Sequence, residues 1–280
     1  MNPLLIAVAP NGARRGKADH PEIPLTLPEI VTDAQACAAA GAAMMHLHVR
    51  DDHGRHSLDA GRYREALAEL SQSVPHMLLQ ITTEAADRYA PEAQLNCLKA
   101  VRPDFASVAT REIARDMSVA SQLYRFADEA GIVIQHILYD TADLALLQQW
   151  RQEGLVPAAG PQSLLFVLGR YATAQLADPN DLLPFLSNQP GGATWSLCAF
   201  GRTEASCCAL AMALGGHVRV GFENNLHLPD GRLAGGNADL VARIADMGQL
   251  IGRPPADAET ARRILSSLAT PTRQTESTRT

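Results

Sequence analysis

Two histidines in His46-Leu47-His48 stand two residues apart inside the apolar run Ala43 to Val49. On a strand this spacing sends both imidazoles to one face. Two neutral imidazoles converging near a strand's C-terminal end suit Zn²⁺. The same spacing also fits a core histidine with an incidental neighbour. A catalytic zinc takes about three protein ligands and keeps one position open, so a further donor is expected at another strand end. Glu84, Glu112, Asp140 and Glu223 are the acids so placed. In Arg219-Val220-Gly221-Phe222-Glu223, alternation puts Arg219, Gly221 and Glu223 on one face, with Gly221 leaving space for a ligand. Glu223 is the expected third ligand; a rim salt bridge to Arg219 is its other reading.

Other residues could bind rather than react. The loop Pro10 to Lys17 concentrates Arg14, Arg15 and Lys17, which reads either as an anion site or as a solvated loop. Gly201-Arg202 follows a strand and opens a helix, a position that receives phosphate in many barrels. Thr82 and Thr83, Ser107 and Thr110 offer hydroxyls near strand ends. There is no Gly-x-Ser-x-Gly elbow, and no serine or cysteine stands beside a histidine as a nucleophile would.

Something must hold these residues at one rim. Eight apolar runs of strand length recur: Leu4 to Ala9, Ala43 to Val49, Met77 to Thr82, Phe105 to Ala109, Ile132 to Leu138, Leu164 to Leu168, Thr194 to Ala199 and Val218 to Phe222. Between them lie Leu27 to Ala40, Ala60 to Gln72, Met117 to Glu129, Thr203 to Leu214 and Ala238 to Ile251, with apolar positions three or four apart. Strand–helix alternation implies a parallel sheet, and eight repeats in 280 residues predict an α/β fold of the (β/α)₈ TIM-barrel type. One barrel over 1–270 and a polar tail over 271–280 are expected, with 157–160 and 188–192 as connections. The 46% hydrophobic and 19% charged composition is ordinary for a soluble globular protein, and no apolar run spans a bilayer. A net charge of -6 argues against a nucleic-acid surface. The N-terminus reads as a first strand rather than a signal peptide, and Cys37, Cys97, Cys198, Cys207 and Cys208 read as buried thiols, so a cytoplasmic enzyme is expected.

With these residues assembled, the chain resembles the beta-keto acid cleavage enzymes, the family that includes 3-keto-5-aminohexanoate cleavage enzyme. The resemblance rests on Gly12-Ala13, on His46-Leu47-His48-Val49-Arg50-Asp51, on Thr82-Thr83 and Ser107, on Gly201-Arg202, and on Gly215 to Glu223. It implies a (β/α)₈ barrel, usually a homotetramer, with zinc on His46, His48 and Glu223. The implied reaction condenses a beta-keto acid with acetyl-CoA and releases acetoacetate and a new CoA thioester. Arg219 matches an active-site arginine, and Thr82 and Ser107 fall where substrate-facing hydroxyls are expected. Two departures bear on the chemistry. Asn224 stands where the pattern has an acid serving as base, and an amide accepts no proton at neutral pH; Glu84, or a hydroxide at the metal, is the expected substitute. Arg14 stands where the aminohexanoate-cleaving enzyme has a glutamate, so a keto acid with an anionic or hydrogen-bond-accepting distal end is expected here. A zinc hydrolase of the amidohydrolase type is the alternative, but it would carry its histidine pair near strand one and further histidines downstream. A non-catalytic ligand-binding barrel is the third possibility.

Overall fold

The computed structural model describes residues 2–157 and 162–266. The tail expected over 271–280, and most of the connection at 157–160, lie outside them. The apolar runs become eight parallel strands: β1 (Ile6–Val8), β2 (Met44–Leu47), β3 (Leu78–Thr82), β4 (Phe105–Ala109), β5 (Val133–Leu138), β6 (Ser163–Leu168), β7 (Thr194–Ala199) and β8 (His217–Val220). Each pairs with its sequence neighbours, and β8 closes on β1 with Ala7 opposite Arg219. Such closure leaves no strand edge open to solvent or to another chain.

Among the described residues ten α-helices accompany them: α1 (Leu27–Ala39), α2 (Ala60–Ser73), α3 (Pro91–Val101), α4 (Thr110–Ile113), α5 (Met117–Ala130), α6 (Thr141–Gln152), α7 (Leu183–Asn188), α8 (Glu204–Ala213), α9 (Asn237–Leu250) and α10 (Ala258–Ser266). Their apolar stripes bury Leu70, Leu123, Leu147, Val241 and others against the outer faces of the strands. Acidic N-caps fix where several begin: Asp59 accepts from the Arg62 amide, Asp116 from Ser118 and Val119, and Asp140 from Ala142 and Asp143. Among the described residues no helix is long and apolar enough to cross a membrane. All five cysteines are buried and free.

The barrel interior is layered. At the bottom, Leu5, Ala7, Met44, Leu78 and Phe105 form an apolar plug sealed by Ala261 and Leu265 of α10. Above it lies a polar layer of Gln80, Gln135 and Ser163, buried and linked by hydrogen bonds. Toward the C-terminal rim, Ala109, Ile137, Val167, Cys198 and Phe200 make an apolar wall.

Two strands end two residues before their apolar runs do. β2 stops at Leu47, and the chain turns at His48 into a short antiparallel hairpin pairing Val49–Arg50 with His56–Ser57. The hairpin turns because Asp51 accepts from the amides of His53 and Arg55, with Gly54 in the left-handed region at φ +72. β8 stops at Val220, so Glu223 stands in the following turn and not on the strand.

Candidate metal centre and active site

Glu223 reaches the rim through a turn that few sequences could make. Gly221 adopts φ +133, and a Cβ there would lie 2.5 Å from the Ala9 carbonyl oxygen. The glycine therefore serves the close approach of β1, correcting the expectation that it clears space for a ligand. Asn237, the first residue of α9, accepts from the Phe222 amide at 2.7 Å, and the Glu223 amide donates to Ala9 O at 3.1 Å. Gly12, at φ +57, is equally constrained: a Cβ would come within 2.5 Å of the Glu223 side chain. The first loop is pinned by Arg50, whose buried guanidinium donates to the carbonyls of Asn11, Gly12, Ala13 and Arg15. The His-Leu-His-Val-Arg block thus carries two histidines and the clamp that holds the opposite loop beside them.

Three donor atoms converge. His46 Nε2 and His48 Nε2 are 3.1 Å apart, and Glu223 Oε2 lies 3.6 Å from the first and 3.3 Å from the second. The carboxylate divides its work: Oε1 accepts from Arg219 Nη2 at 3.1 Å, while Oε2 accepts no hydrogen bond. The expected ion pair with Arg219 forms, and it leaves the other oxygen free. Burial alone would raise the Glu223 pKa, but the charge of Arg219 and the adjacent imidazoles outweigh it and hold the carboxyl well below its usual range. Burial pushes His46 well below its ordinary value, and Arg219 pushes the same way. Two imidazole nitrogens and a carboxylate oxygen, buried and facing one another, are a donor set for a divalent cation with room for a further ligand. The other three acids are accounted for otherwise. Asp140 caps α6 and pairs with Arg111, Glu112 accepts from the Ala85 amide and from Gln94, and Glu84 stands apart from the three donors.

Above these donors lies a small chamber lined by His46, Thr82, Glu84, Tyr139, Arg170 and Arg219 among others. A second cleft, with Gly12, Arg14, Arg15, Glu84, Arg170 and Glu223 in its walls, opens outward from it. Several buried polar atoms near this rim have no partner among the described residues: Ser107 Oγ, Thr110 Oγ1, Arg219 Nε and Nη1, and both side-chain heteroatoms of Asn224. Thr82 Oγ1 accepts from the Glu84 amide at 3.0 Å. The Glu84 side chain is half-buried and makes no hydrogen bond among the described residues. Arg202 is exposed in the turn before α8 and lines neither space.

Comparisons with known proteins give the family. The beta-keto acid cleavage enzyme family matches residues 3–266. This chain belongs to that family. It is 30% identical to a 3-keto-5-aminohexanoate cleavage enzyme of Fusobacterium nucleatum over 95% of this chain and 98% of the relative. It is also 30% identical to a 3-oxoadipate:acetyl-CoA acetyltransferase of Cupriavidus necator, covering 94% of each. Among solved structures, ObcA in a ternary complex with a C4-CoA adduct and oxalate superposes with a TM-score of 0.71 at 16% identity, over 88% of this chain and 68% of that one. At that identity the likeness speaks for the barrel alone. The chain is accordingly an enzyme of the beta-keto acid cleavage family.

Three residues of this family member escaped the sequence reading. Gln80 holds His46, its Oε1 lying 2.7 Å from Nδ1. His56 sits against His48, with Nδ1 atoms 3.4 Å apart. Arg170 lines both the chamber and the outer cleft, its guanidinium over the rings of Tyr171 and Phe200. A signal for Arg170 was present: Gly169-Arg170 follows β6 as Gly201-Arg202 follows β7.

Proposed function

We propose that this protein is a zinc-dependent acyltransferase condensing a beta-keto acid with acetyl-CoA to give acetoacetate and a new acyl-CoA. Its preferred keto acid carries an anionic or polar distal end and is not 3-keto-5-aminohexanoate. The observation that carries the reading is the convergence of His46, His48 and Glu223 beneath a chamber that Arg219 lines with Nε and Nη1 unpartnered among the described residues. Zinc bound by these three residues would act as a Lewis acid toward the keto oxygen and carboxylate of the substrate.

The chain's own residues take the remaining roles. Arg219 is buried with Nε and Nη1 free to donate to an anionic oxygen, while Glu223 holds its remaining edge. Ser107, Thr110 and Thr82 offer hydroxyls, and Asn224 an amide, to the bound acid. Glu84 borders both the chamber and the cleft, a place from which a carboxylate can take a proton from the substrate, as Asn224 cannot. Arg202 is assigned to the coenzyme. A cytoplasmic location, and the homotetramer that the family resemblance implies, complete the reading.

The distal end is read from three cations at the mouth. Arg14 donates to Asp87 at 2.8 Å, so its charge is largely met at the surface. Arg15 donates to the carbonyls of Phe222 and Asn224. Arg170 has no carboxylate partner among the described residues and faces both spaces. A carboxylate tail reaching outward from the metal meets Arg170 first and Arg14 beyond it. The relative named for 3-oxoadipate, a keto acid with a second carboxylate, supports such a substrate.

The test is incubation of purified protein with acetyl-CoA and a panel of beta-keto acids, scored for acetoacetate. Acetoacetate is expected only when acetyl-CoA is present, which separates this reaction from hydrolysis. Keto acids with a distal carboxylate should be preferred, and Arg170→Ala should lower that preference about 10- to 100-fold, the worth of one charge-assisted hydrogen bond. A panel yielding no acetoacetate rejects the reaction, and an unchanged preference in Arg170→Ala and Arg14→Glu rejects the substrate class.

A further inference from the structure

His56 belongs to none of the sequence blocks that carry the family resemblance, yet its ring is 3% exposed and touches the metal centre's edge. We propose that His56 is a positioning residue that fixes the tautomer of His48, presenting the Nε2 lone pair to the metal, and ties that ligand to the backbone of Glu84. This inference rests on the metal reading above.

The hydrogen-bond partners place the protons. Glu84 O is a carbonyl and can only accept, so His56 Nε2, 2.9 Å away, carries the hydrogen. A neutral imidazole has one N–H, so His56 Nδ1 is then an acceptor. His48 Nδ1, 3.4 Å from it, must donate, which leaves His48 Nε2 with its lone pair facing Glu223 Oε2. His46 reaches the same state by another route. Gln80 donates from Nε2 to Gln135 Oε1 at 3.2 Å, and so turns Oε1 toward His46 Nδ1, which donates to it. Both ladders end on Nε2 lone pairs 3.1 Å apart beside a carboxylate oxygen. Three acceptors repel one another unless a cation sits between them, so both chains of hydrogen bonds make sense only as a metal's outer support.

The two ladders differ in what they stand on. Gln80 and Gln135 are strand residues in the barrel wall, whereas His56 is in the second strand of the hairpin. It is held there twice over, since its carbonyl accepts from Arg88 Nη1 at 2.8 Å and its ring stands edge-on to Tyr89 at 6.0 Å. Ring and carbonyl thus fasten the hairpin to the loop after β3, the loop that carries Glu84. One side chain sets the relative position of a metal ligand and of the proposed base.

The experiment titrates zinc into metal-free protein against a chromogenic chelator. His56→Leu, which keeps bulk and removes both hydrogen bonds, should weaken zinc binding about 10- to 100-fold. His56→Gln, whose amide can accept from His48 and donate to Glu84, should recover most of that loss, as a merely space-filling residue would not require. Imidazole nitrogen-15 spectra of the metal-free parent give a reading that needs no variant: the proton is expected on Nδ1 of His48 and on Nε2 of His56. Zinc affinity in His56→Leu within threefold of the parent, or a proton on Nε2 of His48, overturns the inference while leaving the metal reading standing. A parent that binds no zinc overturns both.

Discussion

The two ends of the barrel treat their buried groups in opposite ways. At the bottom, Leu5, Met44, Leu78 and Phe105 pack against Leu265 and Arg262 covers the Phe105 ring at 5.4 Å, while the Gln162 amide just before β6 is the buried polar side chain without a partner among the described residues there. At the top, Ser107, Thr110, Arg219, Glu223 and Asn224 each keep a buried polar atom without a partner. An unmet buried polar group costs about 1–3 kcal/mol, so the top is held in place against its own preference. The bottom and the helix–strand layer stabilise the fold, and the rim spends part of that stability on atoms reserved for a ligand.

Substitutions at the two ends break or sharpen this contrast. His48→Gln should lower kcat/KM at least about 1,000-fold, several kcal/mol of transition-state stabilisation, with the Tm of the metal-free protein little changed. Phe105→Ala should do the reverse: a loss of about 3–5 kcal/mol in denaturant unfolding, with kcat within threefold of the parent. If both variants lose activity and stability together, the two ends are not separate in the way described.

A pH titration of the parent compared with a His217 variant probes the bottom. His217, at the start of β8, accepts from the Leu5 amide at 3.0 Å. Burial, with Arg253 nearby, lowers its pKa to about 4. A base whose folded pKa is depressed contributes stability that is complete above its unfolded value near 6.5 and lost as pH falls through 4. Stability should therefore decline by on the order of 3 kcal/mol across that window, and His217→Gln should flatten the decline. An identical pH profile in the variant would remove His217 from the account. The smallest effect is the most diagnostic of the top: Ser107→Ala removes an unmet hydroxyl and should raise stability by about 1 kcal/mol while reducing turnover. A loss of stability there would mean that the hydroxyl is already satisfied in solution.

The sequence made some of this legible and hid the rest for physical reasons. Eight strands could be read because a strand buried on both faces is a continuous apolar run. α3 and α6 escaped because their stripes are diluted; Gln94 and Asp143 are buried among the apolar positions. The hairpin of Val49–Arg50 and His56–Ser57 is too short for any periodicity, so His56 gave no signal. Glu223 was reached through strand alternation, although the chain places it by a turn that Gly221 and Asn237 make possible. Arg14 and Arg170 look alike in sequence, and only the fold distinguishes the cation paired with Asp87 from the one left facing the chamber.

The central claim is that this rim performs a metal-dependent acyl transfer. Acetoacetate formation from acetyl-CoA and a distal-carboxylate beta-keto acid, measured on chelator-treated protein as zinc is added back, tests it most directly. The account predicts no acetoacetate from the metal-free protein and full recovery at one zinc per chain. Undiminished acetoacetate formation by the metal-free protein, or none at any zinc concentration, would contradict it.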